Sequence, residues 1–215
     1  MGDEITDAKG GGLYFDYVDF PIKEPTEEAC AQYTWPDPNP PDYYHRLGEQ
    51  AHYLYNNTDY AVVGGVIIGG GIFEQPARKM GLDTFFIALV SEPKVADEMM
   101  EKVTNIYIEA SNAYLDAVGD AIQLFTYWDD VCGQNDWLIR PEIYTQLVKP
   151  KQRRLVESIR AKTRAKLFYH GCVVVYDLIS HLIEIGFDII NPVQVSARGM
   201  DTHRLKESYG NDIVF

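Results

Sequence analysis

From residue 44 to the end of the chain, short apolar runs alternate with longer segments in which apolar residues recur every three or four positions. The short runs predict buried strands, and the three-or-four spacing predicts helices. The predicted strands are residues 60–68, 121–128, 166–169 and 187–191, with a last strand beginning at Ile213. The predicted helices are residues 44–57, 82–90, 93–118, 141–163 (kinked at Pro150), 175–185 and 202–209.

This order of elements predicts an α/β protein whose strands pair in parallel through right-handed crossovers. A doubly wound sheet and a (β/α)8 TIM barrel both fit the alternation. Polar residues follow one strand after another, at Asp129, His170 and Asn191, as they do at the carboxyl-end rim of a barrel. We therefore predict a TIM barrel, and because a full barrel needs about 250 residues, an incomplete one over residues 44–215. Residues 1–43, rich in glycine, proline and acids, are predicted to be a lead-in.

Charge and composition narrow the classes of function. The chain has 215 residues, 46% of them hydrophobic, and a net charge of −13, so nucleic acid and anionic membrane surfaces are poor partners. No apolar run approaches the roughly 18 to 20 residues that span a bilayer, and the acidic start lacks the features of a signal peptide. The three cysteines are scattered and odd in number, which argues against a disulfide framework. We expect a cytoplasmic protein.

His170 and Cys172 are the leading candidates for chemistry, because they stand two residues apart at a predicted strand end. Imidazole and thiolate suit Zn²⁺, and this spacing lets both side chains face one ion. A histidine at a strand end can also be a hydrogen-bonded structural residue. A catalytic zinc site needs three protein ligands, and Cys132 is an alternative third ligand or a packed core cysteine.

Two acids and three amides complete the candidate site. Asp129 and Asp130 follow a predicted strand and are expected to be catalytic, the alternative being a loop cap and a solvated neighbour. Gln134, Asn191 and Gln194 lie in loops after strands and are expected to bind substrate, although turn structure explains the Gln134 loop equally well. The glycines of residues 64–71 are followed by no Lys-Ser or Lys-Thr, so they predict a substrate-facing loop rather than a phosphate loop.

Three segments carry a resemblance to a known family: residues 33–38 (YTWPDP), residues 128–135 (WDDVCGQN), and residues 187–194 (FDIINPVQ) followed by Gly199-Met200-Asp201. From about Tyr33 to Phe215 the chain resembles the uroporphyrinogen decarboxylase superfamily, which also holds methylcobamide-dependent methyltransferases. His170-Gly171-Cys172 is similar to the His-x-Cys pair with which the methyltransferase branch binds zinc, together with a later cysteine.

The resemblance implies a methyl transfer from a corrinoid, carried on a partner protein, to a small-molecule thiol. The first alternative that it implies is a metal-free tetrapyrrole decarboxylase, which would need a basic patch to hold its acidic substrate. Arg140, Lys166 and Arg198 are available for that patch. The second alternative is a non-catalytic barrel subunit that forms a homo-oligomer or is completed by another chain.

Overall fold

The computed structural model describes residues 2–6, 12–65, 67–172 and 176–215, with side chains described from Tyr17 onward. Within these described residues, four parallel strands form the central sheet in chain order, and an isolated parallel bridge pairs Ile189 with Val214. The strands are β3 (Val63–Gly65), β4 (Leu124–Trp128), β5 (Lys166–His170) and β6 (Ile189–Asn191). A separate antiparallel hairpin consists of β1 (Gly2–Thr6) and β2 (Gly12–Tyr17).

The helices lie between the strands. They are α1 (Glu27–Gln32), α2 (Tyr43–Asn57), α3 (Glu74–Met80), α4 (Leu82–Ser91), α5 (Pro93–Val118), α6 (Pro141–Ile143), α7 (Lys149–Arg160), α8 (Tyr176–Ile185) and α9 (Thr202–Tyr209). None of these described helices is long and apolar enough to cross a membrane. The alternation of parallel strands with helices confirms the predicted α/β class and a partial TIM barrel.

One face of the sheet is packed against helices. In β4, Phe125 and Tyr127 are buried, and their rings lie 6.2 and 5.6 Å from those of Tyr114 and Tyr107 on α5. Successive strand residues point to opposite faces, so Trp128 lies on the other face, where it is 39% exposed. In a barrel this second face lines the interior. Whether a residue at a strand end can take part in a site on the second face therefore depends on which face its side chain occupies.

The long helices follow the sequence prediction closely, and α5 has the predicted bounds. Just before Pro150, where a kink was predicted, the helix contains a π-helical turn over Tyr144–Val148, in which the Lys149 N–H donates to the Tyr144 carbonyl. A proline has no N–H to donate and its ring crowds the preceding turn, so a wider turn before it relieves the conflict.

Other predicted elements differ from the structure. The strand predicted at 60–68 is shorter, and α3 lies between the predicted glycine loop of residues 64–71 and the helix predicted at 82–90, where no element was predicted. The strand predicted from residue 121 begins at Leu124 because Gly119–Ala121 form a 3-10 turn. The predicted start of α8 at Val175 lies outside the described residues.

The lead-in of residues 1–43 contains the hairpin and α1, which the sequence pattern did not predict. Its Ile22 is 1% exposed, and Glu27 on α1 accepts a hydrogen bond of 2.6 Å from Lys94 on α5. These contacts join the segment to the helical layer. The domain boundary after residue 43 stays a prediction.

Candidate functional site

The sheet register brings three side chains into one row at the carboxyl ends of the strands. Trp128 of β4 pairs with His170 of β5, and His170 pairs with Asn191 of β6. Residues paired in adjacent strands share a face of the sheet. His170 and Asn191, predicted from separate strands, are therefore neighbours on the face away from the helices.

His170 is oriented by its partner in this row. Its Nδ1–H donates to Asn191 Oδ1 at 2.8 Å, and its ring centroid lies 5.0 Å from that of Trp128. Since an amide oxygen only accepts, this bond places a proton on Nδ1, and in the neutral ring the lone pair is then on Nε2. Nε2 lies 3.7 Å from Cys172 Sγ. The structure thus places together the two residues that the sequence predicted as metal ligands.

Cys172 is held in place through Asp130. The Cys172 backbone N–H donates to Asp130 Oδ1 at 2.7 Å, which links the loops after β4 and β5. Partial burial raises the pKa of the Cys172 thiol, and the negative charges of Asp130 and Glu74 raise it further. The thiol therefore stands in a negative environment that favours a cation beside it. Among the described residues, no group of three or more His, Cys, Asp and Glu side chains is placed to hold a metal ion.

Asp129 has a different position from Asp130, because side chains alternate along the chain there. It is fully buried, and its carboxylate accepts hydrogen bonds from the backbone N–H groups of Phe73 (3.1 Å) and Glu74 (3.1 Å). Burial raises the pKa of Asp129 to about 7, and the charge of Glu74 also raises it. This carboxylate fixes the start of α3 against the end of β4.

A buried polar network surrounds Asp129. Tyr127 donates to Asp129 Oδ2 at 2.7 Å, and Gln152 Nε2 donates to the same oxygen at 3.1 Å. The Gln152 carbonyl in turn accepts from Tyr144 at 2.9 Å, and Tyr169 donates to the Asp129 backbone carbonyl. Sequence reasoning missed these residues. In the sequence these tyrosines and this glutamine look like ordinary core and helix residues. Their shared role becomes visible only because their side chains meet at the same aspartate.

The glycine-rich segment supports the same carboxylate. A Cβ atom built on Gly71 would lie 2.1 Å from Asp129 Cγ, so a larger residue would displace the carboxylate. Gly70 has a φ of +82°, which side-chain-bearing residues rarely adopt. The segment therefore positions Asp129 rather than forming a nucleotide loop.

Gln134 and Gln194 lie in neighbouring loops and bond to each other. Gln194 Nε2 donates to Gln134 Oε1 at 2.7 Å, and Gln134 Nε2 donates to the Ser196 carbonyl at 2.8 Å. These amides join the loop after β4 to the loop after β6. Their predicted role in substrate binding stays a prediction.

A cavity of about 770 Å³ opens beside Asp130. Its walls include the apolar side chains of Phe73, Met80 and Leu138, and Glu74 and Arg78 form an ion pair of 3.1 Å in its lining. This volume lies within the range of small-molecule sites. A substrate-sized space thus adjoins the Asp130 loop that holds Cys172.

The three basic residues considered for a tetrapyrrole site are dispersed. Lys166 begins β5, at the opposite strand end from His170, and lies 3.5 Å from Asp188. Arg198 pairs with Asp136 at 2.9 Å. Arg140 is exposed at the start of α6. These side chains do not form a common patch beside His170.

The fold and site define an α/β protein of the barrel type, with its polar candidates along the carboxyl edge of a parallel sheet. A family model described as uroporphyrinogen decarboxylase (URO-D) matches residues 61–196. This match covers more than half of the chain, and the chain therefore belongs to the URO-D family.

One similar solved structure is a methyltransferase from Methanosarcina mazei, with a TM-score of 0.56 and 14% sequence identity. The match covers 88% of this chain and 52% of that chain, so this chain spans about half of the length of that methyltransferase. At this identity the likeness shows a shared fold. A search of curated protein sequences found no significant match.

Proposed function

We propose that the chain is a methyltransferase-like member of the URO-D family, with His170 and Cys172 as zinc ligands. The observation that carries this proposal is the 3.7 Å approach of His170 Nε2 and Cys172 Sγ, with the opposite ring nitrogen bonded to Asn191. A metal-binding histidine commonly donates its other N–H to a carbonyl or carboxylate, which fixes the ring and its tautomer.

The donor pair supplies two of the three protein ligands of a catalytic zinc site, and these two fit zinc in distance and chemistry. For Zn–N and Zn–S bonds of about 2.1 and 2.3 Å, a tetrahedral arrangement separates the nitrogen and sulfur by about 3.6 Å, close to the 3.7 Å observed. Thiolate and imidazole are ligands that zinc prefers, and the nearby Asp130 favours a cation. A bound zinc ion would favour a thiol substrate in its deprotonated form.

Other residues of the chain would position the two zinc ligands and the substrate cavity. Asn191 holds the His170 ring, and Asp130 holds the backbone of Cys172. Asp129 would act from the core by fixing the start of α3, whose residues line the cavity beside Asp130. We assign that cavity to the thiol acceptor. The inference of a corrinoid methyl donor on a partner protein, and of this acceptor class, rests on the resemblance to the methyltransferase branch.

Metal analysis and activity together test the zinc proposal. Protein purified without chelator is expected to contain zinc, and His170→Ala and Cys172→Ser are expected to lose it along with methyl transfer from methylcobalamin to a thiol. His203→Ala is the matched control, because His203 is exposed on α9. Zinc content and methyl transfer that are unchanged in both site variants would refute the proposal.

A tetrapyrrole decarboxylase is the second candidate, and the description of the matching family model favours it. The dispersed positions of Lys166 and Arg198 count against a shared basic patch. Release of carbon dioxide from uroporphyrinogen by chelator-treated protein would establish this activity. It would also contradict a role for zinc in it.

We also propose that another chain, or a second copy of this one, completes the partial barrel. The described sheet has β3 at one edge, and Val63 is 55% exposed on it. An uncovered parallel strand edge can pair with another chain. Sedimentation analysis tests this idea, and a folded monomer that transfers methyl groups would contradict the need for a partner subunit.

A further inference from the structure

The segment 33–38, which the family resemblance singled out, lines a second cavity that the methyl-transfer site does not use. This cavity has a volume of about 460 Å³ and lies between Tyr33–Pro36 and side chains from α3 and α5. It shares no lining residue with the cavity beside Asp130. Any ligand here would therefore occupy a separate site.

The walls of this cavity are mainly apolar and aromatic. Tyr33 and Trp35 meet edge to face with ring centroids 4.9 Å apart, and Ile68, Val103 and Ile106 complete the apolar lining. Small-molecule sites have this character: apolar walls within about 300 to 1,000 Å³, and a few placed polar groups. An aromatic or aliphatic body of a ligand would be desolvated against these rings.

The charged group in the lining is Lys79, which lies there with the polar side chains of Thr34 and Gln75. It is the one charged side chain among the described residues that line the cavity, although the whole chain has a net charge of −13. Within the described part of the chain, no carboxylate lies within ion-pair distance of its Nζ, which is 6.0 Å from the centroid of the Tyr33 ring. By contrast, the adjacent Arg78 pairs with Glu74 at 3.1 Å.

Burial lowers the pKa of Lys79, and the positive charge of Arg78 lowers it further. A half-buried ammonium without a counter-ion is stabilised by an anion that brings its own charge into the cavity. Thr34 adds a hydroxyl donor to the lining. The cavity therefore presents donors and one positive charge beside aromatic walls.

We propose that this cavity binds a small monocarboxylate with an aromatic or apolar body, whose carboxylate pairs with Lys79 and whose body packs on Tyr33 and Trp35. The cavity size limits the ligand to a small molecule. The proposal concerns binding alone, so it is independent of zinc at His170 and of methyl transfer.

Isothermal titration of the full chain with phenylacetate tests this proposal, with phenylacetamide as a neutral probe of the same shape. Phenylacetate is expected to bind at least about tenfold more tightly than phenylacetamide, because its carboxylate forms an ion pair with the Lys79 ammonium, whereas the uncharged amide forms only an ion–dipole hydrogen bond. Its affinity should fall as salt is added.

Variants assign the binding to this cavity. Lys79→Met is expected to weaken phenylacetate binding at least about tenfold and phenylacetamide binding much less, whereas Lys79→Arg retains the preference for the anion. Lys102→Met is the matched control, because Lys102 is exposed on α5 outside this cavity. Trp35→Leu should weaken both probes.

Equal binding of the two probes, unchanged phenylacetate affinity in Lys79→Met, or no binding at millimolar concentration would each overturn the proposal. Because the readout is heat of binding, these results are separable from the zinc and methyl-transfer measurements.

Discussion

Replacing Gly71 by alanine tests how firmly the buried Asp129 carboxylate is fixed. The new Cβ would lie 2.1 Å from Asp129 Cγ and 2.4 Å from Oδ1, far inside van der Waals contact. Either the carboxylate or the Gly71 backbone must move. Both movements disturb the bonds from Phe73, Glu74 and Tyr127 to Asp129.

The expected loss of stability follows from those hydrogen bonds. Loss of two hydrogen bonds to a charged group, at about 1.5 to 3 kcal/mol each, destabilises the fold by about 3 to 6 kcal/mol. Alanine offsets about 0.4 to 1 kcal/mol of this by restricting the unfolded chain. We expect Gly71→Ala to lower the free energy of unfolding by about 2 to 5.5 kcal/mol.

Urea unfolding followed by tryptophan fluorescence measures this change, at about pH 8 so that Asp129, with a pKa of about 7, is mainly ionised. Gly69→Ala is the matched control in the same segment, since the nearest atom to its Cβ is 3.9 Å away. A loss below about 1 kcal/mol for Gly71→Ala, or an equal loss for both variants, would refute the reasoning. In an Asp129→Ala background the Gly71 substitution should cost less, because no carboxylate is left to displace, although the Cβ of residue 129, 2.3 Å away, still clashes.

Three further predictions concern orientation and charge. Asn191→Ala is expected to weaken zinc affinity by about 10- to 100-fold, measured by chelator competition, whereas Gln194→Ala is not; equal affinities would contradict the orienting role. Because the folded pKa of Asp129 is raised from 3.8 to about 7, its protonated form stabilises the fold at low pH. This contribution is lost as the pH rises towards 7, so stability should fall by about 2 to 3 kcal/mol from pH 5 to 7 and Asp129→Asn should abolish that slope. Asp130→Asn is expected to lower the pKa of Cys172 in metal-free protein, seen in a thiolate absorbance titration; an unchanged or higher pKa would contradict the charge effect.

The long helices and the pairing of His170 with Cys172 could be predicted from local patterns. Apolar periodicity, Pro93 at a helix start and Gly119 at its end define α5, because these signals act within a few residues. A two-residue spacing at a strand end likewise limits how far apart His170 and Cys172 can lie. The hairpin in the lead-in and α3 were missed, since neither has a strong apolar period of its own.

The distinction between Asp129 and Asp130 required the tertiary structure. In sequence they are adjacent acids, but one is buried among donors from α3 and α7, and the other accepts from the loop that carries Cys172. Their surroundings come from segments that lie 23 to 56 residues away. No local pattern encodes those distances.

The sequence by itself therefore determined the α/β class, the order of its elements and the strand ends at which the candidate ligands stand. The tertiary structure decided that Asn191 orients His170, that Asp129 belongs to the core, and that Lys79 faces an aromatic cavity. The physical reason is that hydrophobic periodicity acts over one or two turns of chain, whereas hydrogen-bond partners, burial and charge depend on which distant segments the packed sheet brings together.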